Sequence, residues 1–255
     1  MTGRAASTLV LALAAQTGCT FVDPIVAPLP AVAWTDLQDA RRILIERQQA
    51  IQNIQARCWL KITPPGESAQ TLDGALVYQH PGRARLRTSK LGQLVFDLTR
   101  NDDGVWVQTS NEFKQRSGSP GTTGDAADAL TGLARALPQL VAGQDYAQAH
   151  LETNEPNGLT ATWNDPRHGT ARMILDAYDL APRHVFLSTD DQNIELITTY
   201  TEYDSVTWLA RVEAGGDFGS FEIAFFDVEI NTPLNPRAFK PSRRATLIPT
   251  EPATP

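Results

Sequence analysis

The chain has 255 residues, 42% of them hydrophobic, with seventeen glycines, seventeen prolines and a formal charge of −7. Its lysines and arginines are scattered, so no basic stripe exists to neutralise phosphates, and nucleic-acid binding is excluded. The length fits one large β domain as well as two smaller ones, and the Gly and Pro content suits a chain with many turns.

The first residues give one basic side chain, Arg4, then the small and apolar run Ala5–Ala15, then Gln16-Thr17-Gly18-Cys19. This is the n-region, h-region and small-residue cleavage site of an export signal over residues 1–18. The apolar run is far shorter than the ~20 residues that cross a bilayer as a helix. The Gly18-Cys19 pair resembles the lipobox of bacterial lipoproteins, which implies that Cys19 becomes the first mature residue and carries acyl chains. Gln16 stands where that pattern has Leu, Val or Ile. The other reading is an ordinary signal peptide with Cys19 incidental. The second cysteine, Cys58, shares an alternating face with Leu60 and Ile62 and reads as an inert core residue.

Residues 19–34 include three prolines and no helical period, which predicts an extended tether. The folded domain is then expected over 35–249, followed by a loose tail over 250–255. Thr35 followed by Gln38 reads as an N-cap. Leu37, Ala40, Leu44, Ile51 and Ile54 recur at helical spacing, which predicts a first helix over 36–56. The period then changes to two. Strands are expected near 57–63, 74–79, 83–89, 93–100 and 104–110, separated by turn signals such as Pro64-Pro65-Gly66 and His80-Pro81-Gly82. A glycine-rich loop leads into a second amphipathic stretch, 125–141, with Leu130, Leu133, Leu137 and Leu140 on one face. Alternation resumes near 146–153, 159–164, 170–176, 183–188, 193–203, 206–214 and 218–230. Short connections argue for one meandering antiparallel sheet of ten to twelve strands, with two helices available to cover its concave face.

Candidate chemistry is sparse. No histidine stands at metal-ligand spacing with another His or Cys, and no serine sits in a nucleophile-elbow pattern. Asp102-Asp103 and Asp190-Asp191 lack the further oxygen ligands of a calcium loop and read as hairpin turns. The sequence thus offers no residue set for a cofactor, a metal or catalysis. Leu60, Ile62, Leu86, Leu94, Phe96, Leu98 and Trp208 are expected to face inward. They either pack solidly against the helices or line a space for a ligand.

Three stretches, IQNIQARCWLKI, RARLRTSKLGQLVFDL and LARALPQLVAGQDY, resemble in order the LolA/LolB superfamily of periplasmic lipoprotein carriers and acceptors. The likeness is nearer LolB in its anchoring and its central hairpin, while INTPLNPRAFKP is more like the ending of LolA-type relatives. The resemblance implies a mainly β fold, a strongly curved antiparallel sheet forming a half-open β-barrel with helices over the concave face. It implies that the seven inward residues line a cavity for lipid or lipoprotein acyl chains in a monomeric, non-enzymatic protein. It also implies lipid anchoring in the outer membrane, facing the periplasm. Leu91 at the tip of SKLGQ corresponds to a leucine that projects from its turn and meets the membrane, with Lys90 placed to contact anionic headgroups. The alternative is a lipid-tethered structural or protein-interaction module with a filled core. Changing Cys19 to Ser is expected to leave a soluble or uncleaved precursor. Partition of that variant with membranes after processing, measured by fractionation, would refute the anchor.

Overall fold

The computed structural model describes residues 26–110, 145–154, 158–165, 169–188, 193–216 and 219–248. Helix α1 spans Leu37–Gln49. It is followed by β1 (Asn53–Thr63), β2 (Gln70–Gln79), β3 (Arg83–Lys90), β4 (Gln93–Asn101), β5 (Gly104–Thr109), β6 (His150–Asn154) and β7 (Gly158–Asp165). Then come β8 (Gly169–Asp176), β9 (Pro182–Ser188), β10 (Asn193–Tyr203), β11 (Val206–Gly216), β12 (Gly219–Ile230) and β13 (Thr246–Ile248). The thirteen strands form one sheet in the order β13-β5-β4-β3-β2-β1-β12-β11-β10-β9-β8-β7-β6. The expectation of ten to twelve strands fell one short, because three residues of the aperiodic C-terminal segment pair with β5. Among the described residues the sheet is open, with β13 and β6 as its edges, and is not closed into a barrel.

The sheet consists of two meanders. One runs β1 to β5, the other β6 to β12, and each joins neighbours through short antiparallel turns. They are joined by one seam, β1 against β12, with Cys58 opposite Phe225, Leu60 opposite Ile223 and Ile62 opposite Phe221. All six side chains are buried. Burial pushes the Cys58 thiol up to about 12, so it stays protonated and inert. Gly219 opens β12 at φ +97°, and a Cβ there would lie 2.3 Å from the Thr63 carbonyl oxygen. Only glycine fits this close approach of the two strands.

Helix α1 starts one residue later than the sequence suggests. Asp36 is the cap, and its Oδ1 accepts from the backbone N–H of Gln38 and of Asp39, both at 2.9 Å. The helix ends at Gln49, and residues 53–56 belong to β1 rather than to a helix reaching 56. Ile51 and Ile54 happen to continue the helical spacing. From Ile54 onward, however, Ala56, Cys58, Leu60 and Ile62 are buried at period two, and their backbone pairs with β2 and β12. Ala40 and Leu44 of α1 join the same core cluster as these strand residues, so the helix packs on that face of the sheet. The expected second helix, 125–141, lies outside the described residues.

The opposite face is covered in part by the chain after β12. Arg85 on β3 donates to both carboxylate oxygens of Asp97 on β4 at 2.9 and 2.7 Å, and from Nη1 to the Ala238 carbonyl at 3.0 Å. Asp97 is only 2% exposed. Asn101 Nδ2 donates to the Phe239 carbonyl at 3.3 Å. The Asn-Pro-rich segment thus crosses from β12 to the far edge, where β13 pairs with β5. The part of the tether that is described is likewise docked. Leu29 is buried, Val32 N–H donates to the Tyr178 carbonyl at 2.8 Å, and Thr201 Oγ1 donates to the Ala27 carbonyl at 3.2 Å.

Gly219→Ala is expected to lower the unfolding free energy in urea by about 3 kcal/mol, through left-handed strain and collision with Thr63. Gly82→Ala, which has open space around it, is expected to stay within about 0.5 kcal/mol of the parent. Equal effects at the two positions would remove the seam from its central role.

Candidate functional site

A cavity of about 90 Å³ lies between α1 and the sheet. Leu44, Arg47, Gln48 and Ile51 form its helical wall. Tyr78 of β2, Tyr200 of β10 and Thr207, Trp208 and Leu209 of β11 form the sheet wall, with Tyr146, the β8–β9 turn residues Leu180 and Ala181, and Pro182 at the start of β9. Both meanders therefore contribute to it. Trp208 packs against Phe225 with ring centroids 5.0 Å apart and against Tyr203 at 6.2 Å.

The lining is apolar with a polar minority of a particular kind. Burial pushes the hydroxyls of Tyr78, Tyr146 and Tyr200 well above the usual phenol range, so all three stay neutral. Tyr146 OH donates to Met173 Sδ at 3.7 Å, and its ring meets Trp163 edge-on at 5.4 Å. Arg47 Nη1 donates to the Asp179 carbonyl at 2.5 Å. Burial disfavours its charge and lowers its pKa, an effect partly offset by the fields of Asp179 and Glu202. The Asp179 carboxylate is itself engaged by Arg183 and by the Ala181 N–H at 2.8 Å.

The β8–β9 turn is the junction of the site. Its carbonyls at 177, 178 and 179 accept from Trp34 Nε1, Val32 N–H and Arg47. Leu180, at φ +55°, turns a buried side chain into the cavity wall. On α1, Arg41 donates to the Ala147 and Ala149 carbonyls at 3.4 and 2.9 Å. The helix is therefore held by the apolar contacts of Leu37, Ala40, Ile43, Leu44 and Ile45 and by arginine–carbonyl bonds from Arg41 and Arg47.

The seven apolar residues named from the sequence separate. Trp208 lines the cavity. Leu60, Ile62, Leu86, Phe96 and Leu98 are packed into the core cluster, away from the lining. Leu94 leaves the inward face, and this corrects the alternation read from the sequence. A bulge lets Thr88 pair with Phe96 while Ser89 pairs with Leu94, so Val95 is the extra residue and Leu94 shares the Ser89 side. Arg47, Tyr78, Tyr146 and Tyr200 were not singled out by sequence reasoning. The one signal present was that Arg47 follows Leu44 by three positions and so shares its flank of the helix. Cys19 lies outside the described residues.

The β3–β4 hairpin turns on two residues, Leu91 and Gly92, between the pair Lys90 and Gln93. Both have positive φ, +51° and +78°, the signature of a type I′ turn, in which Asn or Gly normally takes the first place. Leu91 is 94% exposed. A bulky apolar residue thus sits at a tip in a conformation that disfavours it and in water that gains nothing from it.

No family model matches the chain, and no curated protein matches it. Solved structures do. A DUF1329 family protein from Desulfovibrio piger superposes with a TM-score of 0.52 at 10% identity, covering 81% of this chain and 98% of the other. An outer membrane lipoprotein-sorting protein domain from Vibrio parahaemolyticus gives 0.50 at 13% identity, over 80% and 97%. A LolA superfamily protein from Nitrosomonas europaea gives 0.51 at 10% identity, over 78% and 97%. Leu91→Asn is expected to raise thermal stability by up to about 1 kcal/mol, since Asn tolerates left-handed backbone; a lower melting temperature would show that Leu91 serves the fold. The chain has the LolA/LolB-like fold.

Proposed function

We propose that this chain is a cell-envelope protein that binds the acyl chains of lipids or lipoproteins between α1 and the sheet, and that it acts in their transfer or membrane insertion. The observation that supports this most is the apolar cavity walled by a helix on one side and by both meanders on the other. Each methylene moved from water into such a space contributes about 0.8 kcal/mol. At about 90 Å³ the cavity is smaller than the ~150 Å³ that admits benzene. An acyl chain therefore enters only as α1 shifts. The stretch 125–141 is the second cover in this reading.

Cys19 carries the lipid that anchors the chain to the outer membrane on its periplasmic side. The protein works as a monomer and without catalysis. Leu91 is the membrane or cargo contact, with Lys90 beside it adding about 1 kcal/mol of attraction to anionic headgroups. The cost of holding a leucine exposed and left-handed at one residue is what supports a role there.

A second reading, a tethered module with a filled core, draws on the complete burial of Leu60, Leu86, Phe96 and Leu98. Binding of the neutral probe N-phenylnaphthylamine to the full-length Cys19→Ser chain separates the two. Saturable binding, weakened at least about tenfold in Trp208→Glu when measured below that variant's lowered melting temperature, is expected from burying a charge in the lining. No binding by a well-folded chain favours the filled core. In the same background, Leu91→Glu is expected to reduce sedimentation with anionic vesicles while leaving probe binding intact.

A further inference from the structure

We infer that the polar end of this cavity recognises the anionic head of a single-chain amphiphile, a carboxylate or phosphate ester, through Arg47 with Tyr200 beside it. The inference rests on the acyl-binding reading above and names the ligand class for the same site.

The argument starts from what the cavity offers. Arg47 brings a guanidinium with five N–H donors, of which Nη1 is used on the Asp179 carbonyl. Among the described residues no carboxylate lies within ion-pair distance of it. The nearest candidate, Asp179, is taken by Arg183, and Glu202 is exposed and acts only at longer range. The Tyr200 hydroxyl lines the same space and has no hydrogen-bond partner among the described residues. The Arg47 guanidinium and the Tyr200 hydroxyl can therefore both donate to an anion, while the buried Asp179 carboxylate nearby is engaged by Arg183. A cation held partly out of water, its charge only partly offset by the fields of Asp179 and Glu202, is costly, and a bound anion relieves that cost. A neutral head, such as an alcohol, would gain one or two ordinary hydrogen bonds and leave the charge unmatched.

The geometry also sets direction. Arg47 sits on α1 next to the β8–β9 turn, while Trp208, Leu209 and Leu44 supply the apolar wall. A head bound at Arg47 leaves its chain to run along that wall. The guanidinium needs only to exchange or share its bond to the Asp179 carbonyl, so the same residue that holds α1 in place would be drawn to the ligand on entry.

The test uses two chain-matched ligands, decanoate and 1-decanol, displacing N-phenylnaphthylamine from the full-length Cys19→Ser chain at pH 7. Decanoate is expected to bind about tenfold tighter than its chain alone predicts, as a charge-assisted hydrogen bond provides. Arg47→Met is expected to erase that preference while leaving decanol binding within about twofold. Arg47→Lys keeps the charge and should keep most of the preference. Thermal melts of each variant confirm that the comparison is between folded proteins. Equal affinity for both ligands in the parent, or a preference for decanoate that survives Arg47→Met, overturns the headgroup assignment while leaving acyl binding intact. If neither ligand displaces the probe, the acyl-binding reading falls and takes this inference with it.

Discussion

Everything in this molecule depends on the pairing of β1 with β12. Each meander is built from local hairpins that form with little loop-closure cost. Neither meander alone encloses anything. The seam joins residue 54 to residue 230 and residue 63 to residue 220, contacts far apart in sequence, and so turns two short sheets into one of thirteen strands. Its inner side is a buried run of Cys58, Leu60 and Ile62 against Phe225, Ile223 and Phe221. Its end is shaped by a glycine that no other residue can replace without collision. Because α1 leads directly into β1, the seam also fixes the helix over the place where Tyr78 from one meander faces Tyr200 and Trp208 from the other.

Two leucines show how the fold spends backbone strain. Leu180 and Leu91 both adopt left-handed backbone, at φ +55° and +51°. Leu180 is repaid at once, because its side chain is buried in the cavity wall within a turn whose carbonyls anchor the tether and the helix. Leu91 receives no such compensation inside the molecule. The same conformation therefore has a structural account at one position and calls for a partner at the other.

The cavity's polar groups follow a similar division. The tyrosines remain neutral and add hydrogen-bonding capacity to an apolar space at modest cost. Arg47 adds a charge, and a charge half out of water needs a counterpart. Elsewhere the fold supplies one: Arg85 is matched in bidentate fashion by the buried Asp97, and Arg183 by Asp179 and Asp176. Arg47, like Arg41 on the same helix, instead bonds backbone carbonyls, and Arg47 does so at the cavity wall.

The sequence by itself determined the local elements. Period-two alternation and turn residues located twelve strands, and Lys90-Leu91-Gly92 located the tight hairpin, because side-chain alternation and turn chemistry act over a few neighbouring residues. The start of α1 was legible to within a residue for the same reason. The end of α1 was not, since Ile51 and Ile54 satisfy helical spacing and only the partners on β2 and β12 draw residues 53–56 into a strand. Nor was the bulge that moves Leu94 to the other face, or the pairing of β13 with β5, which has no periodic signal of its own. The order of the sheet, the docking of the tether and the meeting of Arg47 with Tyr78, Tyr146 and Tyr200 are all long-range outcomes. They arise from burial and hydrogen bonding between residues far apart in the chain, such as Arg47 with Tyr200 or Ala27 with Thr201, which no local pattern encodes and only the tertiary structure decides.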